Sequence, residues 1–327
     1  QASSILARRE GRRDVLLLAL LRAAGIPAEA WLVRSQSGPQ LDGPLPDILA
    51  YNELIVAVAP GRGDAGGPLL WLDPVYRHLP SGYVRPALRG GRALRLPETG
   101  LSPPVQAVTF TTVSLPPAGG TSAAYAAALA GATGAAATPA PTAAESATTP
   151  PSPPAVLRDQ RRLALDMTLA ADGSGEVTVR ETLTGWPALE WREQVENIAE
   201  EKLRQQIEQR ALGFYFPGAS LLDLKYGPMD RDTAELTVEY RFRAPRLGRS
   251  RRSDGGSELV LPAPYPLLLG RNYVSVARRR TPMMLHYALP TVLDARITIP
   301  AGARVAQLAA PLQLADFGQF NQQVTAL

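Results

Sequence analysis

Residues 162–183, RLALDMTLAADGSGEVTVRETL, contain the clearest structural signal in the chain. Apolar and polar residues alternate on both sides of the central 172–175 segment, and a period of two is typical of half-buried β-strands. Aspartate, glycine and serine at the centre are residues that tight turns favour. The stretch therefore predicts a β-hairpin with one face in a core.

Downstream of this hairpin the apolar period becomes helical. The pattern predicts one long amphipathic helix over about 187–212 that packs on a sheet. Strand-like runs resume at 221–226, 234–242, 258–261 and 292–299. We therefore expect residues 158–327 to form a β-sandwich-like domain that carries one long helix. The apolar residues at helical spacing are Trp191, Val195, Ile198, Leu203 and Ile207.

Upstream of the hairpin, residues 116–157 consist mainly of Ala, Pro, Thr, Gly and Ser, with hardly a charge. Such a segment cannot bury enough apolar surface to offset its backbone entropy. We expect a disordered linker between two domains.

The first domain, residues 1–115, opens with a leucine-rich segment at 14–24 that Gly25 and Pro27 end. Leucines lie on nearly every side of that segment, which predicts a buried helix. Runs typical of strands follow at 28–34, 53–58, 69–72 and 93–96, and the second and third of these form a plausible hairpin. The expected fold class is α+β.

Composition excludes several kinds of chemistry. The chain contains no cysteine, so disulfides, thiolate-bound zinc and thiol nucleophiles are impossible. The two histidines, His78 and His286, are far apart in sequence, so we expect no transition-metal site and no cofactor. The net charge of +4 comes almost entirely from scattered arginines without interleaved aromatics, which speaks against a nucleic-acid partner.

No apolar run approaches the ~18 residues of a membrane-spanning helix, so we expect no direct membrane span. The chain begins at Gln1, without methionine or a signal peptide. We expect a processed or excised piece whose N-terminal part is missing.

Three segments of the first domain carry a resemblance to a known family. They are 20–28 (LLRAAGIPA), 51–58 (YNELIVAV) and 71–74 (WLDP). In this order they resemble the core of bacterial transglutaminase-like proteins. The β-rich second domain is similar, more weakly, to the C-terminal domain that follows this core in large multi-domain envelope proteins.

The resemblance implies a papain-like triad of cysteine, histidine and aspartate, in which imidazole and helix N-terminus generate the thiolate. The nucleophile position falls at Glu10, or at Gly11 or Arg12 if the alignment slips. The histidine position falls at Glu53, and only Asp73 is retained. Two of three roles are lost, so the resemblance implies a catalytically silent site.

An alternative is a repurposed cleft in which Glu53 and Asp73 act as paired carboxylates of a hydrolase, with His78 as a possible third member. Carboxylates of this kind are more often paired with an arginine, and Arg77 and Arg85 are near in sequence. A lone His78 is more often a surface or turn residue.

The leading hypothesis is a non-catalytic pseudoenzyme that scaffolds or binds a protein or peptide partner by strand addition to a sheet edge. The resemblance alone implies the periplasm or cell envelope of a bacterium, with the cytoplasm as the alternative. A third possibility is that the function belongs to the missing N-terminal part. The oligomeric state is left open.

Overall fold

The computed structural model describes residues 5, 11–35, 50–58, 69–96, 110–113, 159–229, 235–253, 256–261, 289–305, 312–314 and 318–320. Within these residues the fold is α+β and contains two five-stranded sheets. We refer to residues 11–113 as the first unit and to residues 159–320 as the second unit. Three features singled out above lie outside the described residues: the predicted linker at 116–157, Glu10 and His286.

The first unit contains one helix and an antiparallel sheet. The strand order is β3-β2-β1-β4-β5. The predicted hairpin of the second and third strands is confirmed, because Ala57 lies opposite Trp71. The elements are α1 Arg13–Ala23, β1 Ala28–Val33, β2 Glu53–Val58, β3 Leu70–Leu72, β4 Arg92–Arg95 and β5 Phe110–Thr112.

Both faces of this sheet are buried. On one face, leucines of α1 pack against Val56, Val58 and Leu70. On the other face, a core around the edge-to-face pair of Trp31 and Trp71, whose ring centroids are 5.6 Å apart, is covered by the segment that carries the 3₁₀ turn Pro86–Leu88. The segment that follows β3 is therefore packed on the sheet rather than free of it.

The predicted burial of α1 is wrong for the described residues. Leu20 is 49% exposed, and within the helix only Asp14 is fully buried. Leu17, Leu18 and Leu21 face the sheet, whereas the opposite side of the helix has no described layer above it. A single sheet face can bury only one side of a helix, however many leucines the helix carries.

The second unit contains the predicted hairpin. Strands β6 Gln160–Leu169 and β7 Gly175–Thr184 pair antiparallel with Leu165 opposite Val179. The sheet order is β12-β6-β7-β9-β8, and β12 pairs parallel with β6. The other strands are β8 Ser220–Gly227, β9 Glu235–Ala244, β10 Arg249–Ser253, β11 Gly256–Val260, β12 Thr291–Thr298, β13 Leu312–Leu314 and β14 Gly318–Phe320.

The predicted β-sandwich-like packing differs from the structure of the described residues, in which helices rather than a second sheet cover this sheet. In the described residues one face packs mainly against helical residues, among them Ala188, Leu203 and Leu212. The opposite face carries charged pairs such as Arg180 with Glu239. Alternating strands need one apolar layer above them, and helices supply it as well as a second sheet does.

The predicted single helix is broken. It consists of α2 Trp186–Glu196, α3 Glu200–Gln206, a π-helical turn Ile207–Leu212 and a short α4 Gly213–Tyr215. Ala199 is extended, with φ −62° and ψ 143°, and it separates α2 from α3. The break lets both Ile198 and Leu203 contact the core. It also starts α3 with two glutamates, which the positive end of the helix dipole favours.

Candidate functional site

Arg85 joins the two carboxylates that the sequence singles out. Its Nη2 donates to Glu53 Oε2 at 2.8 Å, and its Nε donates to Asp73 Oδ2 at 2.9 Å. The side chain of Asp73 is fully buried, and that of Glu53 is one-third exposed. We call these three residues the Arg85 bridge. The prediction that an arginine pairs with the carboxylates is confirmed for Arg85.

The local sequence explains this geometry. Glu53 opens β2 and Asp73 directly follows β3, and these strands are antiparallel neighbours, so both carboxylates lie at the same end of the strand pair. Arg85 precedes the 3₁₀ turn, where Pro86 fixes the backbone at the first position. Packing of that turn on the core carries the guanidinium to the carboxylates.

The Arg85 bridge has two acidic groups and one basic group. Burial raises the pKa of Asp73 above its usual range, and the nearby positive charge of Arg85 opposes that rise. Asp73 Oδ1 makes no well-formed hydrogen bond, although the backbone N–H groups of Val75 and Arg85 still favour the ionised form. The Arg85 bridge therefore has fewer positive than negative charges, and fewer hydrogen-bond donors than its carboxylate oxygens can accept.

The start of α1 lies beside this bridge. Hydrogen bonding to Asp14 raises the pKa of Arg12, and the negative charge of Glu53 adds to the effect. Gly11 lines the same cleft as Asp73. Of the predicted nucleophile positions, Gly11 and Arg12 are thus near the two carboxylates, and neither carries a nucleophile.

His78 is buried rather than on the surface, so the expectation of a surface histidine is wrong while the expectation of a turn is correct. Its Nε2 lies 3.0 Å from Glu196 Oε2 at the end of α2, in a close approach that lacks the alignment of a hydrogen bond. The carboxylate that His78 approaches is therefore that of Glu196 in the second unit and not that of Asp73. The structure gives no support to a His78–Asp73 pair.

A cleft of about 830 Å³ lies between α1, the edge of β3 and the segment that follows it. Arg13 and Arg77 are exposed on its lining, and Arg13 Nη1 donates to the Val75 carbonyl at 2.8 Å. Asp73 is the one acidic residue among the lining residues described. The apolar wall is formed by Leu17, Leu21, Ile26, Val58 and Leu70.

A second buried charge cluster joins the two units, and sequence reasoning did not find it. Asp159 accepts hydrogen bonds from the Tyr83 hydroxyl, from the Arg89 guanidinium and, at 2.8 Å, from the Trp186 backbone N–H. We call these four groups the Asp159 cluster. Its members come from three separate stretches of sequence, and none of them stands in a motif that signals the contact.

The described residues contain no group of three His, Asp or Glu side chains placed to hold a metal ion. Among the described helices, none is long and apolar enough to cross a membrane. Comparison with protein-family models, with curated proteins and with solved structures gave no match in any of the three.

Proposed function

We propose that this chain is a catalytically silent, transglutaminase-like protein that binds an extended peptide segment of a protein partner, as a scaffolding module of the bacterial cell envelope. The observation that carries the proposal is the Arg85 bridge. It ties up both carboxylates of the former catalytic positions with a single guanidinium.

The Arg85 bridge disfavours catalysis by Glu53 and Asp73 in two ways. A general base must offer a lone pair to the substrate, and Asp73 is fully buried with its Oδ2 already bound to Arg85. A retaining or inverting carboxylate pair also needs an unobstructed gap between its members, whereas Arg85 reaches both Glu53 and Asp73. The hydrolase alternative has in its favour the raised pKa of Asp73 and the unpartnered Oδ1 of this residue on the cleft lining, and the two features of the bridge outweigh them.

The cleft beside β3 is the proposed binding surface. Its volume of about 830 Å³ falls within the ~300–1,000 Å³ typical of ligand sites, and apolar side chains such as Leu17 and Leu70 form part of its wall. β3 is an edge strand of the described sheet, so a peptide can add to it through main-chain hydrogen bonds while apolar side chains enter the cleft. Exposed Arg13 and Arg77 favour acidic residues in the same peptide.

The envelope location rests on the resemblance of the three segments in the first unit alone. Strand addition does not require the missing triad members.

The test is selection from a displayed library of random linear peptides on the purified chain, followed by affinity measurement with the best peptide. We expect selected peptides to alternate apolar residues and to carry acidic residues. Arg77→Glu should weaken binding about tenfold, since one exposed interfacial charge contributes on the order of 1 kcal/mol. Arg180→Glu, on the solvent face of the second sheet, is the matched control and should leave binding unchanged.

A parallel screen for hydrolase and amine-transfer activity addresses the alternative function. Turnover by the wild-type chain that is lost in a Glu53→Ala, Asp73→Ala double variant refutes the silent site. Equal weakening of peptide binding by both charge reversals refutes the cleft as the binding surface.

A further inference from the structure

The segment that holds Arg85 is attached to the second unit on both sides of that residue. Tyr83 lies two residues before Arg85 and Arg89 lies four residues after it, and both bind the Asp159 carboxylate. Between them, the 3₁₀ turn packs through Leu88 on the core of the first sheet. Arg85 thus belongs to a short segment, residues 83–89, whose two ends are both bound to Asp159.

The Asp159 cluster is well suited to hold this stretch. The Asp159 side chain is 8% exposed, and its charge is balanced by Arg89, which also lies over the Tyr83 ring at 4.8 Å from the centroid. The Trp186 N–H is one of the unpaired donors at the start of α2, and Asp159 satisfies it. The carboxylate has three donors and is therefore fully engaged.

Gly185 shows how closely these groups fit. It has φ +66°, and a Cβ at this position lies 2.2 Å from Asp159 Oδ1. Any side chain at this position therefore collides with the carboxylate.

Further contacts between the units fall on the same part of the first unit. The rings of Tyr76 and Trp186 meet edge to face with centroids 5.1 Å apart. The Arg77 backbone N–H donates to Glu193 Oε2 at 3.2 Å, and His78 approaches Glu196. Residues 73–89 thus line the cleft on one side and contact the second unit on the other.

We propose that docking of the second unit through Asp159 positions Arg85 between Glu53 and Asp73, so that contact between the units keeps both carboxylates paired. Asp159 is a positioning residue: it acts on the cleft through Tyr83 and Arg89. The inference deepens the proposed function, because it names what maintains the silent state. Release of the second unit frees Arg85 and leaves both carboxylates without their shared cation.

The test measures access to Arg85 in the full chain with phenylglyoxal, which modifies guanidinium groups, and follows each modified peptide by mass spectrometry. The Arg85 side chain is 13% exposed in the docked structure, so we expect slow modification in the wild type. Asp159→Asn keeps the shape of the side chain but removes the charge that binds Arg89. We expect Arg85 to react about tenfold faster in this variant, which corresponds to a loss of about 1.4 kcal/mol in docking free energy.

Two internal references and a second variant keep the result interpretable. Exposed Arg180 should react equally in both proteins, and hydrogen exchange of β6 and β7 should show that the second sheet is intact. Tyr83→Phe removes only one hydroxyl, so this variant replaces Asp159→Asn if that protein does not fold. We expect the modification of Arg85 to be severalfold faster in Tyr83→Phe than in the wild type.

Unchanged protection of Arg85 in a folded variant overturns the proposal, whether or not small-angle scattering shows that the units have separated. A chain that fails to select any peptide but shows the expected Arg85 acceleration contradicts the proposed function and supports the positioning role. The two ideas therefore fail independently.

Discussion

Two of the buried charge clusters in the described residues, the Arg85 bridge and the Asp159 cluster, have opposite designs. In the Arg85 bridge one guanidinium serves two carboxylates, whereas in the Asp159 cluster one carboxylate receives three donors. The Arg85 bridge has one positive charge for two carboxylates, and burial raises the pKa of Asp73. In the Asp159 cluster, Arg89 balances the single carboxylate. The Arg85 bridge therefore carries an excess of negative charge, whereas the Asp159 cluster holds the two units together.

The largest expected effect comes from removing the single cation of the bridge. Arg85→Met leaves Asp73 buried without its counter-ion, and breaking a buried pair from one side costs about 3 kcal/mol. Denaturant unfolding at neutral pH measures this loss. The matched control is Arg180→Met, which breaks an exposed pair with Glu239 and should change stability by less than about 0.5 kcal/mol.

The loss should also depend on pH. Without Arg85 the pKa of Asp73 rises further above its value in the unfolded chain, so its unfavourable contribution grows as pH rises through the folded pKa. We expect the stability gap between wild type and Arg85→Met to narrow as pH falls toward the ordinary aspartate pKa of ~4. If the difference in stability between the wild type and Arg85→Met does not change with pH, the excess negative charge of the Arg85 bridge does not affect stability and the prediction is wrong.

A smaller effect is expected at the Asp159 cluster from Gly185→Ala. The new Cβ meets Asp159 Oδ1 at 2.2 Å in a backbone conformation that only glycine adopts easily, so we expect a loss of about 2 kcal/mol. Gly25→Ala provides the comparison, because Gly25 has a similar φ of +73° with nothing within 4 Å of the new carbon. That variant should lose only about 1 kcal/mol. Thermal or denaturant unfolding measures both losses of stability. If Gly185→Ala and Gly25→Ala lose the same amount, the collision with Asp159 contributes nothing to the loss at Gly185.

The smallest effect is expected from Asp73→Asn. Because the folded pKa of Asp73 is raised, this group favours the fold most below the unfolded pKa, and that contribution is lost as pH rises through the folded pKa. The amide removes the cost of burying a charge and also the attraction to Arg85, so the net change at neutral pH should be under about 1 kcal/mol. The clearer result is a flatter stability profile between about pH 4 and 7. Glu53→Gln, at the more exposed end of the bridge, is the matched control.

The sequence predicted best where a single physical rule decides the structure. The β6–β7 hairpin follows from strict alternation around a turn, and its register agrees with that pattern. The pairing of Arg85 with Glu53 and Asp73 was within reach because strand order brings sequence neighbours together. These features depend on local pattern and short connections.

The failures have equally physical causes. The break after Glu196 occurs where neither glycine nor proline marks it, because the fit of Ile198 and Leu203 to the core decides its position. Burial of His78 and the Asp159 cluster arise from contact between the two units, which no periodicity within either unit encodes. Both kinds of error come from tertiary contacts that override local sequence preference.

The parallel pairing of β12 with β6 has a consequence for synthesis of the chain. The antiparallel strands β6 to β9 can assemble as soon as residue 244 has left the ribosome, but β6 then presents an unpaired edge until residue 298 follows. At about 5–20 residues per second this interval lasts for several seconds, during which the edge can pair with another nascent chain. Translation speed between these two points thus sets how long the half-made second unit is exposed to misassembly.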